Sequence, residues 1–315
     1  MVFLWYYICV IESLIILCIG FVLLIRGADA FVDAAAGVAR RFRIPPIIIG
    51  TTLVAIGTSA PEAAISIVAA LKGSDGVSIG NVIGSNITNI FLILGVTSII
   101  ATLPIHKNTK KYELPFVGFI TILLGLCGVW FGMISRPVAL MFLALFVGFI
   151  IYTVIMARHS HEAAPVIEQM SIAKTIVFII AGIAAIVLGS DLTVDSAMDI
   201  ATRAGVSDRV IGLTLVALGT SLPELVVCVT AALKHEYDMA VGNIVGSNIF
   251  NILFVLGLAA AIHPMPFSPA FTVDVAIAMM AVIMLMIFTA SKSKLTWAGG
   301  VAFLISYVAY VIYLI

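Results

Sequence analysis

The sequence predicts an all-α integral membrane protein of ten transmembrane helices, built as two inverted five-helix repeats with broken second and seventh helices. Three observations carry that prediction. Hydrophobic residues make up 63% of the 315 and charged residues only 10%, with a mean hydropathy of +1.24, whereas a soluble domain carries about 25% charged residues. Apolar runs long enough to cross ~30 Å of hydrocarbon fall at about 3–27, 44–71, 77–103, 113–133 and 137–157, then at 174–198, 208–233, 239–262, 271–290 and 296–315. The third observation is a repetition. Gly50–Glu62, GTTLVAIGTSAPE, returns as Gly212–Glu224, GLTLVALGTSLPE, identical at ten of thirteen positions.

The offset between the copies is 162 residues. At that offset Gly80–Gly95 (GNVIGSNITNIFLILG) also maps onto Gly242–Gly257 (GNIVGSNIFNILFVLG), with ten of sixteen positions identical, and Asp29 and Asp33 map onto Asp191 and Asp195. Five spans per copy is an odd number, so the second copy enters the bilayer from the opposite face. Such inverted repeats place binding sites at the midplane between copies. The repeats are expected at 1–157 and 174–315, joined by a cytoplasmic linker at 158–173, RHSHEAAPVIEQMSIA, too short to fold alone.

The first run, Val2–Ile25, has no basic leader and no small-residue cleavage site, so it reads as a retained helix rather than a signal peptide. With the N-terminus outside, eleven Lys and Arg fall in inward loops and four in outward loops, while Arg26 sits near the inner end of the first span. This bias places both termini outside. Trp5, Tyr6 and Tyr7 then form an outer aromatic anchor, with Tyr307, Tyr310 and Tyr313 as a less regular one. Sixteen basic residues balance sixteen acidic ones and no basic stripe exists, which argues against nucleic acid as a partner. Cys9, Cys18, Cys127 and Cys228 lie in apolar runs without metal-ligand spacing and read as small buried residues.

Chemistry concentrates in the doubled motifs. Pro61 has no N–H and its ring clashes with the carbonyl of Gly57, so the second span breaks there; Pro223 does the same in the seventh. A broken helix at membrane depth survives only around a protein-enclosed or watery cavity. Glu62 and Glu224 sit at these breaks, where a charge costs about 2.5–3.5 kcal/mol even on the lenient insertion scale. Two carboxylates brought together also repel unless a cation lies between them. No Lys or Arg falls in the second, third, seventh or eighth span apart from Arg209 at the outer edge of the seventh, so ion pairing is not the answer. A divalent ion balances both charges. Thr58, Ser59, Thr220 and Ser221 supply hydroxyls, and the breaks are expected to release carbonyls near Ala55, Thr58, Ala217 and Thr220. This is a hard-oxygen cage of the kind Ca²⁺ accepts in tolerant geometry, unlike Mg²⁺, and without the Cys or His that zinc or copper would want.

In the second motif, Gly80, Gly84, Gly242 and Gly246 have the spacing of close helix packing. Ser85 and Asn89 share one helix face, as do Ser247 and Asn251, and that face can turn toward the glutamates. Asn81, Asn86, Asn243 and Asn248 read as caps and inter-helix hydrogen bonds. Glu12 is a further acid in the first span, either snorkelling to the surface or functional. Asp29, Asp33, Asp191, Asp195 and Asp199 lie near span ends, where water reaches them.

The paired GTSxPE and GNxxGSNxxN motifs resemble the α-repeats of the cation/calcium exchanger superfamily, specifically its prokaryotic-type sodium/calcium exchangers. The motif match covers about a third of the chain. The resemblance implies one Ca²⁺ site with neighbouring Na⁺ sites in a core of the second, third, seventh and eighth spans. Its ligands would be side chains of Glu62, Thr58, Ser59, Ser85 and Asn89 and of Glu224, Thr220, Ser221, Ser247 and Asn251, with the carbonyls of Ala55 and Ala217. It also implies that the first and sixth spans slide across this core, and that the protein sits in a prokaryotic cell membrane, extruding Ca²⁺ against inward Na⁺. Neutral Asn89 and Asn251, where some members carry Asp, argue against K⁺ co-transport. No cofactor is implied; Ca²⁺ and Na⁺ would be substrates and the lipid bilayer a partner. The rival within the same architecture is a Ca²⁺/H⁺ antiporter using the same glutamates, with a cation channel more distant. An intramembrane enzyme finds no Ser/His pair, no H-E-x-x-H and no Asp dyad within the spans.

Overall fold

The structure is a computed structural model that describes residues 2–159, 170–204, 217–290 and 293–314. Its helices are α1 (Val2–Phe42), α2 (Pro46–Thr58), α3 (Ala60–Leu71), α4 (Asp75–Ile100), α5 (Thr109–Phe131) and α6 (Arg136–His159). After the connection come α7 (Ile172–Arg203), α8 (Ala217–Thr220), α9 (Leu222–Leu233), α10 (Tyr237–Ile262), α11 (Phe271–Ala290) and α12 (Trp297–Leu314). Among the described residues eight helices are long and apolar enough to cross a membrane, and α2 with α3 makes a ninth span bent by 49°. The chain is an all-α integral membrane protein. The stretch expected to open the seventh span, 208–216, lies outside the described residues, as does most of the expected linker, so the count of ten is not read from the structure.

The first expected boundary is wrong. The apolar run stops at residue 27, with Arg26 near its inner end, but α1 continues unbroken for 41 residues. At 1.5 Å per residue it is about 60 Å long, twice the hydrocarbon thickness, and Arg26 lies exposed along its middle. The polar residues that end the apolar run find partners on another element: Lys234, just past α9, pairs with Asp29 at 3.0 Å and Asp33 at 2.7 Å. The two aspartates are half-exposed yet paired, rather than simply solvated. Likewise α7 extends to Arg203, where Asp199 accepts from Arg203 at 2.7 Å and from Ser13 of α1 at 2.5 Å. Glu12 and Cys18 are both exposed on α1, so Cys18 is not the buried residue expected.

The two long helices run side by side in opposite directions. Gly20 faces Gly189 and Gly27 faces Gly182: a Cβ at Gly189 would stand 2.8 Å from the Gly20 carbonyl, and one at Gly27 would stand 3.0 Å from that of Gly182. Backbones meet here because no side chain intervenes, the usual way membrane helices gain contact when water offers no hydrophobic drive.

Behind this pair lies the core of the molecule. Helices α4 and α10 are its most enclosed spans, 72% and 83% buried against 22% for α1, α7 and α12. The other helices therefore present lipid-facing surface while α4 and α10 see mostly protein. The fit of α10 against α2 depends on glycine. A Cβ at Gly246 would meet the Thr51 carbonyl at 2.5 Å, and one at Gly242 would meet that of Ile47 at 2.6 Å, so the packing reading of these two glycines holds. At opposite ends of α5, two short antiparallel ladders tie the connections together, with Leu103 opposite Leu295 and Met133 opposite Pro266.

Candidate cation site

Each glutamate stands at the start of a half-helix. Ser59, with φ −85° and ψ 12°, interrupts the helix between α2 and α3, and Pro61 occupies the first turn of α3, where its missing N–H has no helical partner to lose. Ser221, at φ −92° and ψ 6°, does the same before α9 and Pro223. Glu62 and Glu224 therefore fall in the first turns of α3 and α9. Both are buried, at 1% and 0% exposure.

Across the centre the two breaks exchange contacts. Ser59 Oγ donates to Glu224 Oε1 at 2.7 Å, and Ser221 Oγ donates to Glu62 Oε1 at 3.5 Å, a much weaker bond. The carboxylates are near enough to repel each other. Among the described residues no salt bridge reaches either one.

A second layer is built by asparagines on α4 and α10. Asn86 Nδ2 donates to the Asn248 carbonyl at 3.2 Å and Asn248 Nδ2 to the Asn86 carbonyl at 3.4 Å. Asn89 Nδ2 then donates to Asn248 Oδ1 at 2.9 Å, and Asn251 Nδ2 to Asn86 Oδ1 at 3.2 Å. These crossed bonds give each of the four amide nitrogens a partner and leave one side-chain atom of Asn89 and of Asn251 without one. It is the oxygen in both.

The result is a set of buried side-chain oxygens with no hydrogen-bond partner: Glu62 Oε2, Glu224 Oε2, Asn89 Oδ1, Asn251 Oδ1 and Ser247 Oγ. An unpaired buried oxygen costs on the order of 1–3 kcal/mol, and more when charged. Five such oxygens leave an unmet demand for hydrogen-bond donors or positive charge. Only two are carboxylates, and among the described residues no cluster of three or more acidic, His or Cys groups exists, so the chemistry is that of mixed hard oxygens.

The remaining expected site residues are placed less decisively. The Ala55 carbonyl is not stripped bare by the break: it accepts the Ser59 N–H at 3.0 Å and the Thr58 hydroxyl at 3.3 Å. Ala217 opens α8. Thr220 and Ser85 line a cavity of about 360 Å³ beside the glutamates, together with Asn81 and Asp274. Tyr310, expected as a membrane-surface anchor, is instead buried and donates to Asp274 at 3.2 Å beside this cavity.

With this geometry in view, residues 12–155 and 174–315 match the model of the family described as sodium/calcium exchanger protein. The chain belongs to the sodium/calcium exchanger family. Among similar proteins, a putative antiporter, CaxA, of Alkalimonas amylolytica is 41% identical over 254 residues, covering 78% of this chain and 79% of that one. The sodium/calcium exchanger MaX1 of Methanosarcina acetivorans is 32% identical over 349 residues, covering 96% and 98%. The structure of the sodium–calcium exchanger NCX_Mj soaked with zero Na⁺ and Ca²⁺ superposes with a TM-score of 0.85 at 34% identity, covering 97% of this chain and 100% of that one.

One feature of this exchanger-family chain has no counterpart among the expectations drawn from sequence. The helix winds into a π-turn over Asn89–Leu94 in α4 and again over Asn251–Leu256 in α10, each beginning at a site asparagine. Such turns recur at functional sites because the wider winding leaves backbone groups less regularly paired. The inter-helix hydrogen bond expected of Asn243 is present: its Oδ1 accepts from Thr58 at 3.1 Å and so ties α10 to the first break.

Proposed function

We propose that the chain is a secondary antiporter exchanging Ca²⁺ for Na⁺ at one midplane site. The ions are held by side chains of Glu62, Glu224, Thr58, Ser59, Thr220, Ser221, Ser85, Asn89, Ser247 and Asn251, with the carbonyls of Ala55 and Ala217. The observation that carries this reading is the convergence of two buried carboxylates, each clamped by a serine of the other motif, with unpartnered oxygens left on both. The family supports the ion pair, and the hard-oxygen chemistry supports Ca²⁺ and Na⁺ over softer metals.

The coupling follows from charge. A single Ca²⁺ neutralises both carboxylates, and Na⁺ ions can do so only by occupying the same oxygens, so each substrate excludes the other. The loaded core is compensated and can be exposed to the opposite side; the empty core, with two bare charges, resists that step. An ion can shift the equilibrium between the two exposures only through this difference in binding. The moving part in this reading is the α1–α7 pair, held together by its glycine-to-glycine contact as it slides across the core of α2, α3, α4, α8, α9 and α10. The two halves, 1–157 and 174–315, are read as inverted repeats, with both termini outside a prokaryotic cell membrane and net flux carrying cytosolic Ca²⁺ outward.

Proteoliposomes loaded with Na⁺ and diluted into Na⁺-free medium at clamped pH test it. Ca²⁺ uptake under these conditions supports the exchange, and uptake driven only by a pH gradient assigns the same glutamates to proton exchange instead.

A further inference from the structure

A second cavity, of about 320 Å³, lies between α5 and α6, lined by Tyr112, Glu113, Phe116, Gly148, Phe149 and Tyr152 among others. It is away from the residues assigned to the ion site. Its chemistry is unusual for a gap between membrane helices. Glu113 is 3% exposed and its Oε2 has no partner; the buried Tyr152 hydroxyl has none either. Asp238, at the start of α10, adds a second negative charge within electrostatic range of Glu113. The apolar wall is aromatic, with Phe116 and Phe149 stacked at 5.9 Å and 10° and Phe149 and Tyr152 at 6.2 Å and 30°.

The internal repeat shows why the acid lacks a partner. Tyr112 corresponds to Asp274 at the 162-residue offset, and Phe149 to Tyr310 at the 161-residue offset that holds beyond the second ladder, where Met133 and Ile134 are equivalent to Lys294 and Leu295. In the second half the Tyr310 hydroxyl bonds Asp274 at 3.2 Å. In the first half the equivalent Phe149 has no hydroxyl, and at the neighbouring Gly148 an added Cβ would meet nothing within 4 Å among the described residues. An acid remains, in Glu113 one position along, and its partner is gone.

We propose that this cavity binds the headgroup of an aminophospholipid, with a primary ammonium on Glu113 and Tyr152. Two unpartnered buried oxygens call for hydrogen-bond donors, which a primary ammonium has and a quaternary one lacks; the aromatic wall favours a cation of either kind. Lys111 lies exposed with its Nζ 5.1 Å above the ring of Tyr112, placing a positive charge at the mouth for the phosphate. From there the acyl chains run along a surface already built for lipid, where Phe119 and Ile122 of α5 and Val147 and Ile151 of α6 are exposed.

The test titrates the purified full chain in maltoside micelles with phosphatidylethanolamine or phosphatidylcholine of matched acyl chains, reading bound lipid by native mass spectrometry. The wild type is expected to prefer phosphatidylethanolamine by about tenfold, the worth of a hydrogen bond to a charged group. E113Q and the cavity-filling G148L are each expected to bring the two lipids to parity. Equal binding by the wild type, a preference for phosphatidylcholine, or a preference surviving in folded G148L would overturn the proposal. G148L builds into open space, so it remains decisive if E113Q fails to fold.

Discussion

Ser59 donates to Glu224 at 2.7 Å although the two residues are 165 positions apart and belong to different copies of the same motif. The reciprocal contact, Ser221 to Glu62, is stretched to 3.5 Å. The pair of motifs is therefore interlocked at its centre, with one side drawn tighter than the other.

That asymmetry makes a quantitative prediction. S59A removes a short bond to a charged acceptor and should weaken Ca²⁺ binding by about tenfold, whereas S221A removes a long one and should cost clearly less. Calorimetric titration of both variants with Ca²⁺ checks the order. Equal losses, or a larger loss for S221A, would mean that the bound site rearranges the two serines.

The crossed amides of Asn86 and Asn248 should matter to folding as well as to ions. In N86A the Oδ1 that Asn251 Nδ2 donates to and the donor to the Asn248 carbonyl both disappear. Leaving a buried partner unmet costs about 1–3 kcal/mol, so thermal unfolding in detergent should move to lower temperature. An unchanged midpoint would show that other groups replace these bonds.

The glycine contact between α1 and α7 predicts a separation of binding from turnover. In G189A the new Cβ would stand 2.7 Å from the Leu24 backbone nitrogen and 2.8 Å from the Gly20 carbonyl, forcing the helices apart or locking them. Gly189 is not among the residues assigned to the ion site, so Ca²⁺ affinity should stay unchanged while the exchange rate falls. Normal rates in G189A would remove this contact from the transport step.

The site's outline was readable in the sequence because its signals are local. Pro61 and Pro223 break a helix through a missing N–H whatever surrounds them, and a Glu at such a break inside an apolar run is costly enough to demand a counter-charge or a proton. The length of α1 was not readable for the opposite reason. Asp29 and Asp33 look like the end of a span until Lys234, some two hundred residues later, is seen beside them. The π-turns at Asn89 and Asn251 leave no mark in composition, since they change hydrogen-bond register rather than residue type. Nor could spacing tell that Asn86 would pair with Asn248, which required two helices to cross at those residues. Tyr310 misled because an aromatic near a chain end resembles a membrane-surface anchor, and only its bond to Asp274 reveals the inward role.

The central claim is that Glu62 and Glu224 together hold one divalent ion which Na⁺ displaces. Equilibrium Ca²⁺ binding to the purified protein, measured with and without saturating Na⁺ for the wild type, E62Q and E224Q, tests it most directly. The account predicts that Na⁺ abolishes Ca²⁺ binding competitively in the wild type and that either single variant, still folded, binds no Ca²⁺. Ca²⁺ binding that persists in E62Q or E224Q, or that ignores Na⁺ in the wild type, would contradict it.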